Sequence, residues 1–505
     1  MIDAPEEDGI SPGKYLMLVG LVLPAFLLRY YLFTLNAPLW LDEAMLALNI
    51  RTRDMLGLAQ PLIYDQGAPL GYLWLLKGLT LWLGESEFAL RAPSLVAGGL
   101  GLLLLVWLGQ KTNALPGRWF AVGAMALSYP AVSYSIQAKQ YSLDMFITLA
   151  LWLWGLGYFG IGEERKRSWW TLSFWGALAI WFSHPAVFTL AGLGGALILL
   201  QYDPASKKDR IGMLTAICGW LASFLILYFA QYRGLGANKV LTNYWAEYFL
   251  PLSLQAPAWV YARITELARN PGGIWYWVPD LLLFGMFAIG LGALLWRKSP
   301  WAVMFGMSLL ASMAASAIHM YPFGGRLGLF LVPGIMICIG ASLDQFVLAW
   351  RHGRTPRQVA ALAIAALLLV MGAKFTFEKT IHPPTTEDMS GAMETLQENY
   401  RKGDTIYLYR FAAPVFRYYA PLYDLQDATL IEGSNLATPA ERLAEDSANL
   451  PDTKRVWLLY GHIVDAQYEQ EQQALLQVAE ERGDQTRVFR YKGTASSLYL
   501  FDLSQ

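Results

Sequence analysis

Residues 69–83 read PLGYLWLLKGLTLWL, and whether this stretch crosses a membrane decides how the rest of the chain is threaded. It is apolar, yet it falls short of the roughly 20 residues that a spanning helix needs, and Lys77 stands in its middle. We read it as an interfacial or re-entrant helix. Outward from it, apolar runs recur from Lys14 to about Lys374 with short polar interruptions. By the length rule they predict spans near Tyr15 to Phe33, Phe88 to Leu108, Arg118 to Tyr134, Leu143 to Ile161, Trp169 to Ser183, Pro185 to Leu200, Ile211 to Ala230, Val278 to Trp296, Trp301 to His319, Leu327 to Trp350 and Val359 to Ala373, about eleven in all. Met1 to Gly13 is acidic and lacks the basic start of a cleaved signal, so the first run is expected to stay as an anchor.

The charges test the reading of residues 69–83. With that stretch left out of the count, the loops on the N-terminal side carry Lys14; Lys111 and Arg118; Arg165, Lys166 and Arg167; Lys207, Lys208 and Arg210; Arg297 and Lys298; and Arg351, Arg354 and Arg357. Every such loop is short and basic. If the stretch spanned, all the later clusters would fall outside, against the positive-inside rule. The N-terminus is therefore predicted to be cytoplasmic. That puts a first loop, about 35–87, a long loop, about 231–277, and the chain after Lys374 on the outer face. The aromatics of the long loop (Tyr244, Trp245, Tyr248, Tyr261, Trp275, Tyr276, Trp277) suit a membrane interface first and sugar stacking second.

Composition agrees with a membrane protein. Of 505 residues, 55% are apolar and only 15% charged, against about 25% charged in soluble domains. Lys+Arg number 38 against 39 Asp+Glu, so nothing in the charge balance proposes nucleic acid as a partner. Both cysteines, Cys218 and Cys338, fall in apolar runs and support neither a disulfide framework nor a thiolate metal site. After Lys374 the composition turns mixed. Strand-like runs (Thr405 to Tyr409, Arg455 to Tyr460, Arg487 to Tyr491, Ser497 to Phe501) alternate with helical segments (Thr386 to Tyr400, Asp465 to Glu481). No phosphate loop, metal triad or nucleophile elbow appears there. The expected fold class is mainly α: a polytopic membrane domain over 1–374 with an extracytoplasmic α/β domain over 375–505, the latter for acceptor handling or scaffolding.

The first outer loop begins NAPLWLDEAMLALNIRTRDML, residues 36–56, with Asp42 and Glu43 opening an amphipathic helix. Two readings compete. Asp42 is a natural N-cap, and Glu43 suits the positive end of the helix dipole. Alternatively, Asp42 is a general base at the membrane surface, in reach of a lipid-borne donor and a hydroxyl or amine acceptor. A phosphate leaving group then needs positive charge near its oxygens. Ten cations of the membrane portion fall on the outer face, Lys139 and Arg326 among them, and snorkelling to headgroups accounts for most. Arg326 follows two glycines that let backbone approach a ligand closely. His184, in FSHPAVF, is an ionisable residue at a span's outer end, where an interface role is the plainer alternative. No ligand spacing of zinc or calcium type is visible, and no obligatory metal is predicted.

Four segments taken in order, LDEAMLALNIR (41–51), GAPLGYLWLLKGLTLWLGESEFALRAPS (67–94), YSIQAKQYSLDMF (134–146) and YPFGGRLGLFLVP (321–333), resemble the GT-C glycosyltransferases of the bacterial family 39 and 83 type. These are relatives of the protein O-mannosyltransferases and the lipid A aminoarabinose transferases. The resemblance implies a multi-spanning enzyme of the bacterial inner membrane that moves a sugar from a polyprenyl-phosphate donor to a lipid, glycan or protein acceptor outside the cytoplasm, usually with inversion. It implies that Asp42 is the base, Glu43 a supporting carboxylate, and Asp144 a second acidic residue lining the cavity. Lys139 stands where many relatives carry arginine and is the first candidate for the lipid phosphate. Gln66 stands where the aminoarabinose branch carries lysine, so Lys139 would have to supply that charge. Two other classes remain: a transporter or flippase of lipid-linked sugar, and a polysaccharide polymerase or ligase.

Overall fold

The computed structural model describes residues 16–159, 168–200, 207–236, 238–274, 277–348, 354–382, 387, 389–451, 455–482, 491–492 and 495–503. Lys14, Arg165, Lys166, Arg167, Arg351, Trp275, Tyr276 and most of the strand expected at 487–491 lie outside them. The chain divides into two compact units, Met1–Leu35 with Asp54–Pro383, and Asn36–Arg53 with Pro384–Gln505.

The first unit is helical. Among the described residues, five of its helices, Glu87–Thr112, Asp209–Gly236, Pro300–Ala317, Gly325–Val347 and Arg357–Ile381, are long and apolar enough to cross a membrane. Other apolar helices are shorter: the Leu70–Leu83 stretch forms a helix of 14 residues, and Trp169–Phe182 has the same length. Length therefore does not by itself separate the stretch at 69–83 from the shorter expected spans. Helices pair through close approach, as where Gly290 lies against the carbonyl of Cys338, a place with no room for a Cβ. Cys338 is buried and Cys218 exposed, and both are free thiols.

One expected span differs in kind. The run Arg118 to Tyr134 is two helices, Leu115–Leu127 and Tyr129–Tyr134. Ser128 caps the second through its Oγ, with Pro130 in the first turn; proline has no N–H and cannot continue the helix before it. The carbonyls freed at the break are taken up. Arg29, fully buried, donates to Met125 O at 3.0 Å and Ala126 O at 3.4 Å, and Thr376 Oγ1 donates to Leu127 O at 2.5 Å. Such capping is what lets irregular backbone persist inside apolar surroundings.

The second unit carries a five-stranded mixed sheet in the order β2-β1-β3-β5-β4, with β1 Thr405–Leu408, β2 Thr429–Glu432, β3 Arg455–Tyr460, β4 Tyr491–Lys492 and β5 Ser497–Asp502. β1 is parallel to β2 and β3, and β3 antiparallel to β5. Helices Ser390–Asn399, Ala413–Tyr419, Pro439–Asn449 and Ala466–Arg482 complete it. Glu471 joins two of these: it accepts from Arg442 at 2.5 Å, Arg410 at 2.8 Å and Tyr409 at 3.0 Å. Desolvation pushes its carboxyl up, but these three bonds outweigh it and hold the group below its usual value. A carboxylate so lowered contributes stability that is complete above about pH 4.3 and lost as pH falls through the lowered folded value. Glu471→Gln is thus expected to melt earlier than wild type at pH 7, with the gap closing as pH falls through that lowered value. Thermal unfolding of the full-length protein in detergent checks this; a gap that does not change with pH would sink it.

Candidate active site

Asp42 and Glu43 belong to the second unit, on the helix Leu41–Thr52. The helix is not the amphipathic one expected, because Leu41, Glu43, Ala44, Leu46, Ala47, Leu48, Asn49 and Ile50 are all buried, around most of its circumference. Nor is Asp42 its N-cap. That position is Trp40, and Glu43 accepts from the Trp40 N–H at 3.4 Å, the back-bond of a capping box. The unit anchors this segment at both ends. Leu39 N–H donates to the Tyr419 hydroxyl at 2.8 Å, Leu41 N–H to Glu387 Oε2 at 2.9 Å, and Arg51 to Tyr418 O at 2.7 Å with its guanidinium 4.2 Å from the Tyr418 ring centroid. Glu387 is buried, and its other oxygen meets His462 Nδ1. The chain beyond residue 383 thus sets the orientation of Asp42, which is half-buried. Glu387→Ala would leave the Leu41 N–H unpaired, at a cost of about 1–3 kcal/mol. The expected result is a lower unfolding temperature and faster proteolysis within 36–53; a wild-type cleavage pattern would remove Glu387 from this role.

The remaining candidates lie in the first unit and gather about the start of the helix Tyr141–Leu156. Lys139 precedes it. Its side chain is buried, its Nζ donates to Gln66 Oε1 at 2.7 Å, and its carbonyl accepts from Ser94 Oγ at 2.7 Å. Gln66 sits in a segment held from several directions. Asn238 donates to Asp65 Oδ1 at 2.7 Å, Gln140 to Gly67 O at 3.4 Å, and Gln231 to Ala68 O at 2.8 Å. Gln66 and Lys139 are therefore in direct contact.

Asp144 stands in the first turn of the same helix, buried, and its Oδ1 has no hydrogen-bond partner among the described residues. The hydroxyls of Tyr232 and Tyr321 lie within its electrostatic reach. The His184 ring packs edge-on against Tyr232, with centroids 4.9 Å apart. Arg326 comes from the other side, its guanidinium 5.8 Å from the Tyr141 ring centroid and 5.5 Å from that of Trp245. Gly324 and Gly325, at φ 155° and 52°, make the turn that presents it. Tyr248 lies against Gly324 and Arg263 lies 4.8 Å from the Tyr248 ring centroid. Glu266 pairs with Arg263 at 2.6 Å. Burial raises the Glu266 carboxyl against the pull of Arg263, and it accepts from the Gly325 backbone as well. Trp245, Tyr248, Arg263 and Glu266 thus brace the Arg326 turn, a role the residue pattern alone did not reveal. Among the described residues no group of three or more His, Cys, Asp or Glu side chains could hold a metal ion.

Helices of this order, with a small sheet at the C-terminal end, make a fold that solved membrane enzymes share. The chain is similar to ArnT from Cupriavidus metallidurans bound to undecaprenyl phosphate, with a TM-score of 0.53, 12% identity, and coverage of 96% of this chain and 98% of that one. It is similar also to the oligosaccharyltransferase of Archaeoglobus fulgidus, both in the apo form (TM-score 0.53, 11% identity, 94% of this chain and 73% of that one) and tethered to an acceptor peptide containing the NVT sequon (TM-score 0.52, 11% identity, 97% and 74%). These likenesses show the fold. No family model and no curated protein matches the chain.

Proposed function

We propose that this protein transfers a sugar from a polyprenyl-phosphate donor to an acceptor outside the cytoplasm, with inversion. The observation that carries the reading is the gathering of Lys139 and Arg326 at the start of the Tyr141–Leu156 helix. Two cations beside the positive N-terminal end of a helix are what a phosphate oxygen requires. The likeness to a protein bound to undecaprenyl phosphate supports the same donor class. In the proposed step an acceptor oxygen or nitrogen attacks the anomeric carbon as the bond to the phosphate oxygen breaks. The lipid phosphate leaves with the electron pair, and Asp42 takes the acceptor proton. Asp144 lines the sugar side, Glu43 supports Asp42, and His184 orients the bound sugar. The charge pattern of the loops supports a bacterial inner-membrane protein with a cytoplasmic N-terminus and with residues beyond 374 in the periplasm.

The test is reconstitution into liposomes with a panel of undecaprenyl-phosphate sugars, reading the release of undecaprenyl phosphate in the presence of cell-envelope acceptors. Release from one donor supports the transferase and names the sugar. If no donor is consumed while labelled lipid crosses the bilayer, the protein is a flippase instead; if whole glycans are transferred, it is a ligase.

A further inference from the structure

Ser94 closes the second of the four segments that carry the resemblance, and the transfer step gives it no role. A buried serine inside a helix commonly turns its hydroxyl to the carbonyl one turn back. Ser308 and Ser312 do so, donating to Met304 O and Ser308 O, each at 2.8 Å. Ser94 does not. It lies within the helix Glu87–Thr112, fully buried, and its Oγ donates to the carbonyl of Lys139 at 2.7 Å, 45 residues along the chain.

That bond lands on backbone outside any helix. Residues 135–140 run as turns and bends between the helices Tyr129–Tyr134 and Tyr141–Leu156. Gln140 is the N-cap of the second helix, and its carbonyl accepts from the Asp144 N–H at 2.9 Å; Lys139 O lies one residue before that ladder begins. One turn beyond Ser94 on the same helix face, Gly98 lies against Ser135, a place with no room for a Cβ. One face of the helix Glu87–Thr112 therefore meets both ends of the stretch that carries Lys139. The Ser94 bond fixes the plane of the peptide between Lys139 and Gln140, which sets the root of the lysine side chain, while Gln66 meets its ammonium.

We propose that Ser94 is a positioning residue for the lipid phosphate of the donor, acting through Lys139 and not by touching the ligand. The inference rests on the reading of Lys139 as a phosphate ligand. Without the hydroxyl the Lys139 carbonyl loses a buried donor, and the peptide that aims the ammonium is no longer held in one orientation.

The test measures the affinity of purified full-length protein in detergent for tritiated undecaprenyl phosphate. Wild type is compared with Ser94→Ala, Lys139→Ala, the double variant and Ser312→Ala. Ser94→Ala is expected to weaken binding by about three- to tenfold, as for one neutral hydrogen bond, and Lys139→Ala by about 10- to 100-fold. In the Lys139→Ala background the further effect of Ser94→Ala is expected to fall below about twofold, because the side chain through which Ser94 acts is gone. Ser312→Ala removes an equally buried hydroxyl from the helix Pro300–Ala317 and is expected to bind as wild type does. Wild-type affinity in Ser94→Ala overturns the proposal. So does an equal loss from Ser94→Ala in both backgrounds, or a matching loss in Ser312→Ala, since either marks a general loosening of the helices. If Lys139→Ala itself binds as tightly as wild type, the phosphate reading of Lys139 has failed and the role of Ser94 falls with it; a loss in Lys139→Ala with none in Ser94→Ala sinks the role of Ser94 alone.

Discussion

Asp42→Asn is expected to slow the release of undecaprenyl phosphate by about 10²- to 10⁴-fold, the range of a lost general base, while leaving the amount of folded protein unchanged. The second half of that expectation follows from the geometry of the helix start. If Asp42 were the N-cap, the asparagine variant would test capping and catalysis together. It is not: Trp40 holds that position, Glu43 supplies the back-bond, and Glu387 takes the Leu41 N–H. An amide at residue 42 therefore removes a proton acceptor and leaves in place the Glu43 back-bond and the bond from the Leu41 N–H to Glu387. The comparison is initial rates of lipid-phosphate release against unfolding temperature for wild type and variant in the same liposomes. Wild-type turnover in Asp42→Asn would end the base assignment and return the residue to a place on a helix turn.

Lys139→Ala is expected to raise the donor KM by about 10- to 100-fold, as for one charge-assisted hydrogen bond to phosphate, with a smaller change in kcat. The contact with Gln66 supplies the control. If Lys139 only braces the 65–68 segment, then Gln66→Ala should raise KM as much as Lys139→Ala does. If the ammonium holds phosphate, Gln66→Ala should be mild and Lys139→Arg should recover most of the affinity, though not all, because a planar fork replaces a compact charge. Equal effects of Lys139→Ala and Gln66→Ala would leave Lys139 a structural residue.

The helical half was legible because each helix there is an apolar run, so runs such as Phe88 to Leu108 and Trp301 to His319 emerge near the helices Glu87–Thr112 and Pro300–Ala317. What failed was local. The break at Ser128 depends on Arg29 and Thr376, partners nearly 100 and 250 residues away, which no window along the chain contains. The contact of Lys139 with Gln66 was inferred only as a compensation of charge, and their meeting is a property of the fold. In the second unit, β3 and β5 were visible as apolar alternation, whereas β2 is a partly exposed edge strand with a weaker pattern. The helix Pro439–Asn449 carried a signal that went unread: Thr438 and Glu441 form a capping box with proline between them. The grouping of residues 36–53 with the C-terminal unit has no signature in sequence, since it rests on hydrogen bonds between segments some 350 residues apart.

Arg29 bears on how the protein is made. An arginine within an apolar helix opposes its partition from the translocon into lipid, by up to about 2.5–3.5 kcal/mol at the bilayer centre and less toward the ends. One of its partners, Ala25 O at 2.9 Å, lies on its own helix, and the other two are carbonyls 96 and 97 residues downstream, which leave the ribosome long after that helix does. That helix is therefore synthesised before two of the three carbonyls that satisfy its arginine, which arrive with the helix Leu115–Leu127. Shortening the nascent chain to end before residue 115 would leave an N-terminal segment prone to slip or to be handed to quality control, whereas a chain long enough to include residues 125 and 126 would hold it.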